Sequence, residues 1–390
     1  MNDQMTQNKE GIPVVAHFTR TFFAKSETFI YNYISHMKEF EPICLGWELA
    51  NQELFPVNEE NLYCLQLKRY TPRWFYYGIQ KRISGGDPYF EKILRHRRAG
   101  LLHAHFGHNG VYALKASLNT GIPQITTFYG MDLSNRRMVS ALAADYEYMF
   151  KHGALFLVEG AHMKEKLSQL GCPTEKIKIQ RIAIPVEKIT YRPRRVKAPG
   201  EKAIFIFGGR FTEKKGLIFA LEAMRIVRQK RRDFEFRIIG AGHLEDEIRS
   251  MISRRSMEEY VKLLGFLNYS DYLREMEGAD IFIHPSVTAA DGDSEGGAPT
   301  TILEAQAMGM PILSTYHADI PNVVVPEKSA LLAPERNADV LAQHALYLLE
   351  NRDAWESMGK EGRRFIEGNH DIVKEVVNLE HIYKDFISKI

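Results

Sequence analysis

Short apolar runs alternate with longer stretches whose apolar positions recur at helical spacing, the pattern of parallel α/β sheets. In the first half, residues 12–18, 43–46, 101–104, 124–128 and 155–158 predict strands, and 27–37, 109–119, 138–151 and 160–169 predict helices. Residues 184–200 break the alternation with three prolines, several basic side chains and little periodicity, which marks a linker. A second set then follows. Strands are predicted at 203–207, 234–239, 261–264, 281–284 and 311–314, and helices at 215–229, 244–253, 270–278, 300–308, 338–351 and 354–368. The expectation is an α/β protein of two doubly wound, Rossmann-like sheets facing each other across a cleft. Residues 1–190 form the first unit and 191–371 the second, with a last helix at 372–390 packing back on the first.

With 390 residues the chain can build such a pair of cores, and its 45% hydrophobic and 26% charged content is that of a soluble globular protein. No apolar run approaches the roughly 18 residues of a membrane span, and residues 1–11 are too polar for a secretory signal. Cys44, Cys64 and Cys172 are scattered, which fits a reducing cytosol and argues against structural zinc. A cytoplasmic location is therefore expected.

Net charge is +2 but uneven: residues 1–195 hold 26 Lys+Arg against 18 Asp+Glu, and the remainder 25 against 31. Much of the excess lies in 68–98 and 181–197. One reading is a solvated face. The other is a patch for anionic lipid or a phosphate-bearing acceptor, with Trp74, Phe75, Tyr76 and Tyr77 at the interface and the protein peripheral at the inner face of the membrane. Nucleic acid is not an expected partner, because no helix-turn-helix, zinc-finger or RNA-recognition pattern accompanies the charge.

The densest chemistry lies in 291–311, D-G-D-S-E-G-G-A-P-T-T-I-L-E-A-Q-A-M-G-M-P. Gly296 and Gly297 leave room for a ligand to reach backbone N–H groups, and Pro299 suits a helix start whose free N–H groups, with Thr300 and Thr301, bind phosphate. Glu295 before that site and Glu304 after it can accept hydrogen bonds from sugar hydroxyls. Phosphate between two polyol ends describes a nucleotide sugar. Gly209-Arg210 and Lys215 follow a predicted strand, where open α/β sheets bind ligands, and their cations can neutralise a diphosphate. Gly240 and Gly242 after the next strand, and Phe266-Leu267 after another, offer backbone to a base or diphosphate, or are turns only. Asp291 and Asp293 have metal-holding spacing, yet Arg210 and Lys215 already supply positive charge, so no metal or other cofactor is expected.

The first half aims further residues at the same cleft. His103 and His105 stand at a strand end before a helix, and Tyr129 and Asp132 end another strand. Ser26 and Glu27 open the first helix; Ser26 reads as an N-cap, in a loop that can also admit an acceptor. No Ser-His-Asp order, G-x-S-x-G elbow or catalytic cysteine motif supports hydrolysis by an enzyme nucleophile.

Together these segments resemble glycosyltransferase family 4, retaining enzymes of GT-B fold, and within it the exopolysaccharide and lipopolysaccharide branch that includes colanic-acid-type transferases. The resemblance spans S-E-T-F at 26–29, H-A-H-F-G at 103–107, T-x-x-G-x-D at 127–132 and E-A-x-A-x-G-x-P at 304–311. It implies Arg210 and Lys215 as diphosphate clamps, Glu304 on the ribose hydroxyls, Glu295 on the donor sugar, and His105 at the sugar or reacting centre. Ser26, Glu27, Tyr129 and Asp132 fall on the acceptor side. The implied reaction moves a hexose or N-acetylhexosamine from a UDP-linked donor to a glycan or lipid-linked acceptor in cell-surface polysaccharide synthesis. Two departures stand out. Eight residues rather than the family's seven separate Glu295 from Glu304, with the extra one within 296–298, and Tyr129 stands where many relatives carry His. A nucleotide-sugar epimerase, or a sensor that binds donor without turnover, would use the same donor residues.

Overall fold

The computed structural model describes residues 11–24, 27–65, 71–198 and 200–387. Its first-half strands are β1 (Val14–Phe18), β2 (Thr21–Phe22), β3 (Glu41–Gly46), β4 (Glu48–Leu49), β5 (Leu62–Cys64), β6 (Ala99–His105), β7 (Gln124–Thr127), β8 (Leu155–Val158) and β9 (Ile177–Ile179). Those of the second half are β10 (Ala203–Gly208), β11 (Phe234–Ile239), β12 (Val261–Gly265), β13 (Ile281–Ile283), β14 (Ile312–Thr315) and β15 (Ala330–Ala333). The sheets run β5-β3-β1-β6-β7-β8-β9 and β12-β11-β10-β13-β14-β15, all parallel, with β2-β4 as a small parallel pair beside the first. Central strands such as β1 (V-V-A-H-F) and β10 (A-I-F-I-F-G) read as unbroken apolar runs because helices cover both faces.

The first-half helices are α1 (Thr28–His36), α2 (Pro72–Ser84), α3 (Pro88–His96), α4 (Gly107–Thr120), α5 (Met131–Ser134), α6 (Arg136–Ala141), α7 (Ala143–His152) and α8 (Ala161–Gln169). The second half carries α9 (Leu217–Lys230), α10 (Glu245–Arg254), α11 (Tyr269–Glu277), α12 (Thr300–Ala307), α13 (Ile320–Val323), α14 (Ala338–Glu350) and α15 (Ala354–Asn369), and α16 (Ile372–Ile387) follows. Ile372, Val376, Leu379 and Tyr383 form one apolar stripe of α16, buried with Val15, Leu101 and Leu157 of the first sheet. Several predicted elements change. The helix expected at 138–151 is two helices that break at Leu142, and α2, α3, α5, α13, β2, β4, β5, β9 and β15 go unpredicted by apolar spacing. The helix expected at 372–390 is described as far as Ile387.

The chain passes between the halves along two adjacent paths. Ile184 N–H donates to His370 O (2.9 Å) and Ile372 N–H donates to Ile184 O (3.0 Å). Away from this hinge the halves meet through a helix cap supplied across the gap. Gly160 stands at the N-cap of α8 and has no side chain to cap it. Asp319 of the second half does so instead, its Oδ1 accepting from His162 N–H (2.9 Å) and its Oδ2 from Met163 N–H (3.1 Å). A Cβ at Gly160 would lie 2.3 Å from Asp319 Cγ, so the glycine makes room for the visiting carboxylate.

Asp319→Ala should therefore act on both halves at once. Loss of the cap is expected to cost about 1–2 kcal/mol, read as a lower urea midpoint. A larger radius of gyration by small-angle scattering should accompany it, and an unchanged radius would show that the cap does not hold the halves together.

Candidate active site

The carboxyl edges of the two sheets face each other, and the donor-side residues predicted from sequence gather on the edge of the second. After β10 the chain turns through Gly209 and Arg210, and a turn at residues 213–215 ends in Gly216, whose φ is +67°. A Cβ at Gly216 would fall 1.8 Å from Pro285 O, so only glycine lets this turn press against the end of β13. The result is a buried ion pair: Lys215 Nζ lies 2.9 Å from Glu295 Oε2. Glu295 Oε1 also accepts from Ser286 Oγ (3.0 Å) and sits 3.4 Å from His284 Nε2, while Glu295 N–H donates to His317 Nε2 (3.1 Å). Burial pushes the Glu295 carboxyl up, but the Lys215 ammonium and the His284 contact more than offset it and hold it well below the usual carboxylate range.

Glu304 lies on α12, on the other side of the 296–299 loop. Its Oε2 accepts from Tyr272 Oη (2.9 Å) and its Oε1 from Tyr269 Oη (3.1 Å). Burial raises this carboxyl to about 7 against those two hydrogen bonds. Thr300 and Thr301 open α12, and Pro299 stands at its N-cap, one place before the first helical position. Arg210 is exposed at the mouth of the cleft, and Leu267 and the exposed Phe266 follow β12.

The glycines behave differently from the expectation of open space. A Cβ at Gly240 would meet Gly209 O at 1.9 Å, and one at Gly242 would meet Phe211 O at 2.5 Å, so both serve the packing of one edge loop on another. Gly296, at φ +71°, would place a Cβ 2.4 Å from Gly130 Cα, and Gly297 would place one 2.0 Å from Glu159 Oε2. The room at this pair is thus filled by the other half of the chain, not left for a ligand. Asp291 and Asp293 are likewise engaged: Asp291 Oδ2 accepts from Asn135 Nδ2 (2.7 Å), and Asp293 Oδ1 pairs with Lys214 Nζ (3.0 Å).

Across the seam, Glu27 stands at the N-cap position of α1 without capping it. Burial raises its carboxyl to about 7, and the charge of Arg210 opposes that rise. Ser26 lies outside the described residues. Asp132 is fully buried and braces two strand ends, accepting from Gly107 N–H (2.7 Å), Gly130 N–H (3.0 Å) and Tyr129 N–H (3.1 Å). Its expected acceptor contact is replaced by this internal role, since no face of the carboxylate is open. Burial raises it to about 6.

His105 is also buried, behind Tyr129. Its Nδ1 lies 2.7 Å from Tyr129 Oη and its Nε2 3.0 Å from His17 Nδ1, so neither nitrogen faces Glu295. His103 joins Tyr383 of α16 (2.5 Å) to Thr127 (2.6 Å). Among the described residues, nitrogens of His17, His103 and His105 form a group within 4.8 Å that a metal ion could use. Both nitrogens of His103 and His105 are hydrogen-bonded, and only His17 Nε2 lacks a partner. Burial drives His17 down to about 3 and the other two well below the ordinary value, so the rings act as a neutral hydrogen-bonded network.

Sequence reasoning missed several of these partners. His284 and Ser286 follow a strand at the carboxyl edge, and Tyr269 and Tyr272 lie three apart on one helix, which are signals a reader can use. Glu159 and Asp319 carry no local signal, because their partners lie more than a hundred residues away.

Comparisons with known proteins agree with this architecture. Residues 190–365 match the family described as glycosyl transferases group 1, and residues 49–188 match glycosyltransferase family 4. The chain is 34% identical over 336 residues to WcaL of Escherichia coli, named as a colanic acid biosynthesis glycosyltransferase, covering 85% of this chain and 80% of that one. It is 38% identical over 252 residues to the amylovoran biosynthesis glycosyltransferase AmsK of Erwinia amylovora, covering 64% and 61%. Among solved structures, Anabaena Alr3699/HepE in complex with UDP superposes with a TM-score of 0.78 at 13% identity, over 96% of this chain and 100% of that one. The lipopolysaccharide outer core galactosyltransferase WaaB gives 0.71 at 15%, over 97% and 100%. The chain belongs to glycosyltransferase family 4 and is a glycosyltransferase of GT-B fold.

Proposed function

We propose that this enzyme transfers a hexose or N-acetylhexosamine from a UDP-linked donor, with retention of configuration, to a glycan or lipid-linked acceptor during exopolysaccharide assembly. The observation that carries the reading is the placement of two buried carboxylates, Glu295 on Lys215 and Glu304 on α12, at either side of the loop that opens that helix. Support for the pathway comes from the names of WcaL and AmsK, and support for UDP from the complex formed by HepE.

In this reading Lys215, Arg210 and the first amides of α12 hold the diphosphate and stabilise the charge that grows on it. The bond between the anomeric carbon and the phosphate oxygen breaks as the acceptor oxygen bonds to that carbon from the same face. The acceptor's proton passes to the departing phosphate oxygen. Lys215 and Arg210 supply the compensating charge, so the scheme uses no metal. Glu304 takes the ribose hydroxyls once its tyrosine partners yield, and Glu295 orients Lys215 and meets the sugar edge. Burial behind Tyr129 gives His105 a supporting part, through the position of Tyr129.

Thermal shift against UDP-, GDP-, ADP- and CMP-sugars tests the donor, since a ligand at 100 times its dissociation constant stabilises by about 2.7 kcal/mol. A shift with UDP-sugars alone is expected; a GDP-sugar shift alone would replace UDP in the proposal. Product formed only when acceptor is added, with its anomeric configuration read by NMR, tests transfer and retention. A sugar isomer appearing without acceptor would point to an epimerase instead.

Lys215→Ala should abolish transfer and raise the donor Kd, whereas Glu304→Gln should weaken donor binding by about tenfold or more. The pH dependence has a definite sign. Glu304 keeps its proton up to about 7, and only the ionised carboxylate accepts from both ribose hydroxyls. Donor affinity should therefore rise as pH increases through that value, and the rise should shrink in Glu304→Gln. Equal pH profiles for the two proteins would remove Glu304 from the donor site.

A further inference from the structure

Helix α2 is built the wrong way round for a helix of a water-soluble domain. Phe75, Tyr76, Ile79 and Ile83 fall on one arc at helical spacing, and a helix ordinarily turns such an arc toward the core. Here the arc faces outward: the four side chains are 53%, 63%, 58% and 82% exposed. On the protein-facing side Lys81 donates from Nζ to Tyr112 Oη of α4 (2.7 Å), and Tyr77 is half-buried. Of the four aromatic residues singled out in the sequence, Phe75 and Tyr76 point outward and Tyr77 turns in. Two isoleucines that were not singled out complete the face.

The charge around this face has one sign. Residues 71–98 hold seven Lys+Arg, of which Arg97 is buried on Glu41 and Arg95 pairs with Glu91, and only Asp87 and Glu91 as acids. Both acids are buried and occupied, Asp87 capping α3 and accepting from Tyr112 Oη, and Glu91 accepting from Asn119 Nδ2. Arg82 at the rim of the arc, Lys92 on the adjoining α3 and Lys115 beside Gly85 are exposed. Exposed apolar side chains with exposed cations on and beside their helix match the layered chemistry of an anionic bilayer surface, with acyl chains beneath phosphate headgroups. A second copy of the chain fits less well, because a symmetric contact through this face would set cation against cation.

We propose that α2 is a membrane-docking helix that inserts Phe75, Tyr76, Ile79 and Ile83 among the headgroups of an anionic bilayer. The placement serves the transferase reading and does not depend on the donor. Tyr112, which holds α2, lies five residues along α4 from Gly107 at the cleft, about 8 Å along the helix axis. Docking through α2 thus brings the first-half rim of the cleft close to the headgroups, where the reducing end of a lipid-linked acceptor sits.

Flotation of the full chain with vesicles of mixed phosphatidylglycerol and phosphatidylcholine, against phosphatidylcholine alone, tests the proposal. The protein should float with the anionic vesicles, less so at high salt, and the double variant Ile79→Asp/Ile83→Asp should bind them at least about tenfold more weakly. The variant's thermal unfolding and UDP-sugar shift should match the wild type, since both side chains are solvent-facing; a variant that fails to fold is replaced by Ile79→Ser/Ile83→Ser. Absence of wild-type flotation, or flotation untouched by either variant, overturns the proposal. So does a variant that changes only concentration-dependent self-association in sedimentation, which would assign the face to a second copy. Failure of the transferase reading would appear instead as no donor shift and no product, with flotation intact.

Discussion

Residues 289–298 must satisfy two surfaces at once, and much of the arrangement around the cleft follows from that demand. On one side the loop delivers Glu295 to Lys215, Ser286 and His284. On the other it lies against the α5–α6 joint of the first half, where Ser294 N–H donates to Ser134 Oγ (3.1 Å) and Arg136 N–H donates to Asp291 O (3.1 Å). A buried carboxylate without a cation is costly, so the Lys215 pair is what allows the loop to run through the interior. Once it does, the loop backbone is held near enough to Gly130 and Glu159 that only glycine fits at 296 and 297.

The eight residues between Glu295 and Glu304 divide between the same two surfaces. Gly296 and Gly297, directly after Glu295, lie closest to the first half. Glu295 keeps its cation, and Glu304 keeps its place in the helix. Donor-side chemistry and domain contact are thereby joined in one short segment.

How much of this could be read from sequence depended on whether a residue's partner was near in the chain. The two sheets, the linker and the returning helix all show in apolar spacing, because each strand and helix buries one local pattern. The Glu295–Glu304 frame was legible because loop chemistry and a helix start adjoin within a dozen residues. Asp132 was misjudged because a polar residue after a strand looks the same whether it faces solvent or three backbone amides. His105 was aimed at the cleft because nothing local reveals that Tyr129 and His17 would enclose it. Helix α2 stayed hidden for the opposite reason: its arc is regular, but aromatic and basic residues crowd it and it points away from any core.

The capping of α8 by Asp319 has a consequence for how such enzymes diversify. Two-domain transferases invite recombination, in which one half is exchanged to bring a new acceptor or donor to an old partner. Here the first half has given up its own cap at Gly160, and the second half holds a buried carboxylate suited to that vacancy. A foreign first half with a side chain at that position would collide with Asp319, and a foreign second half without an acid would leave α8 frayed. An exchanged half therefore needs a small residue at 160 and an acid at 319 to keep this junction intact.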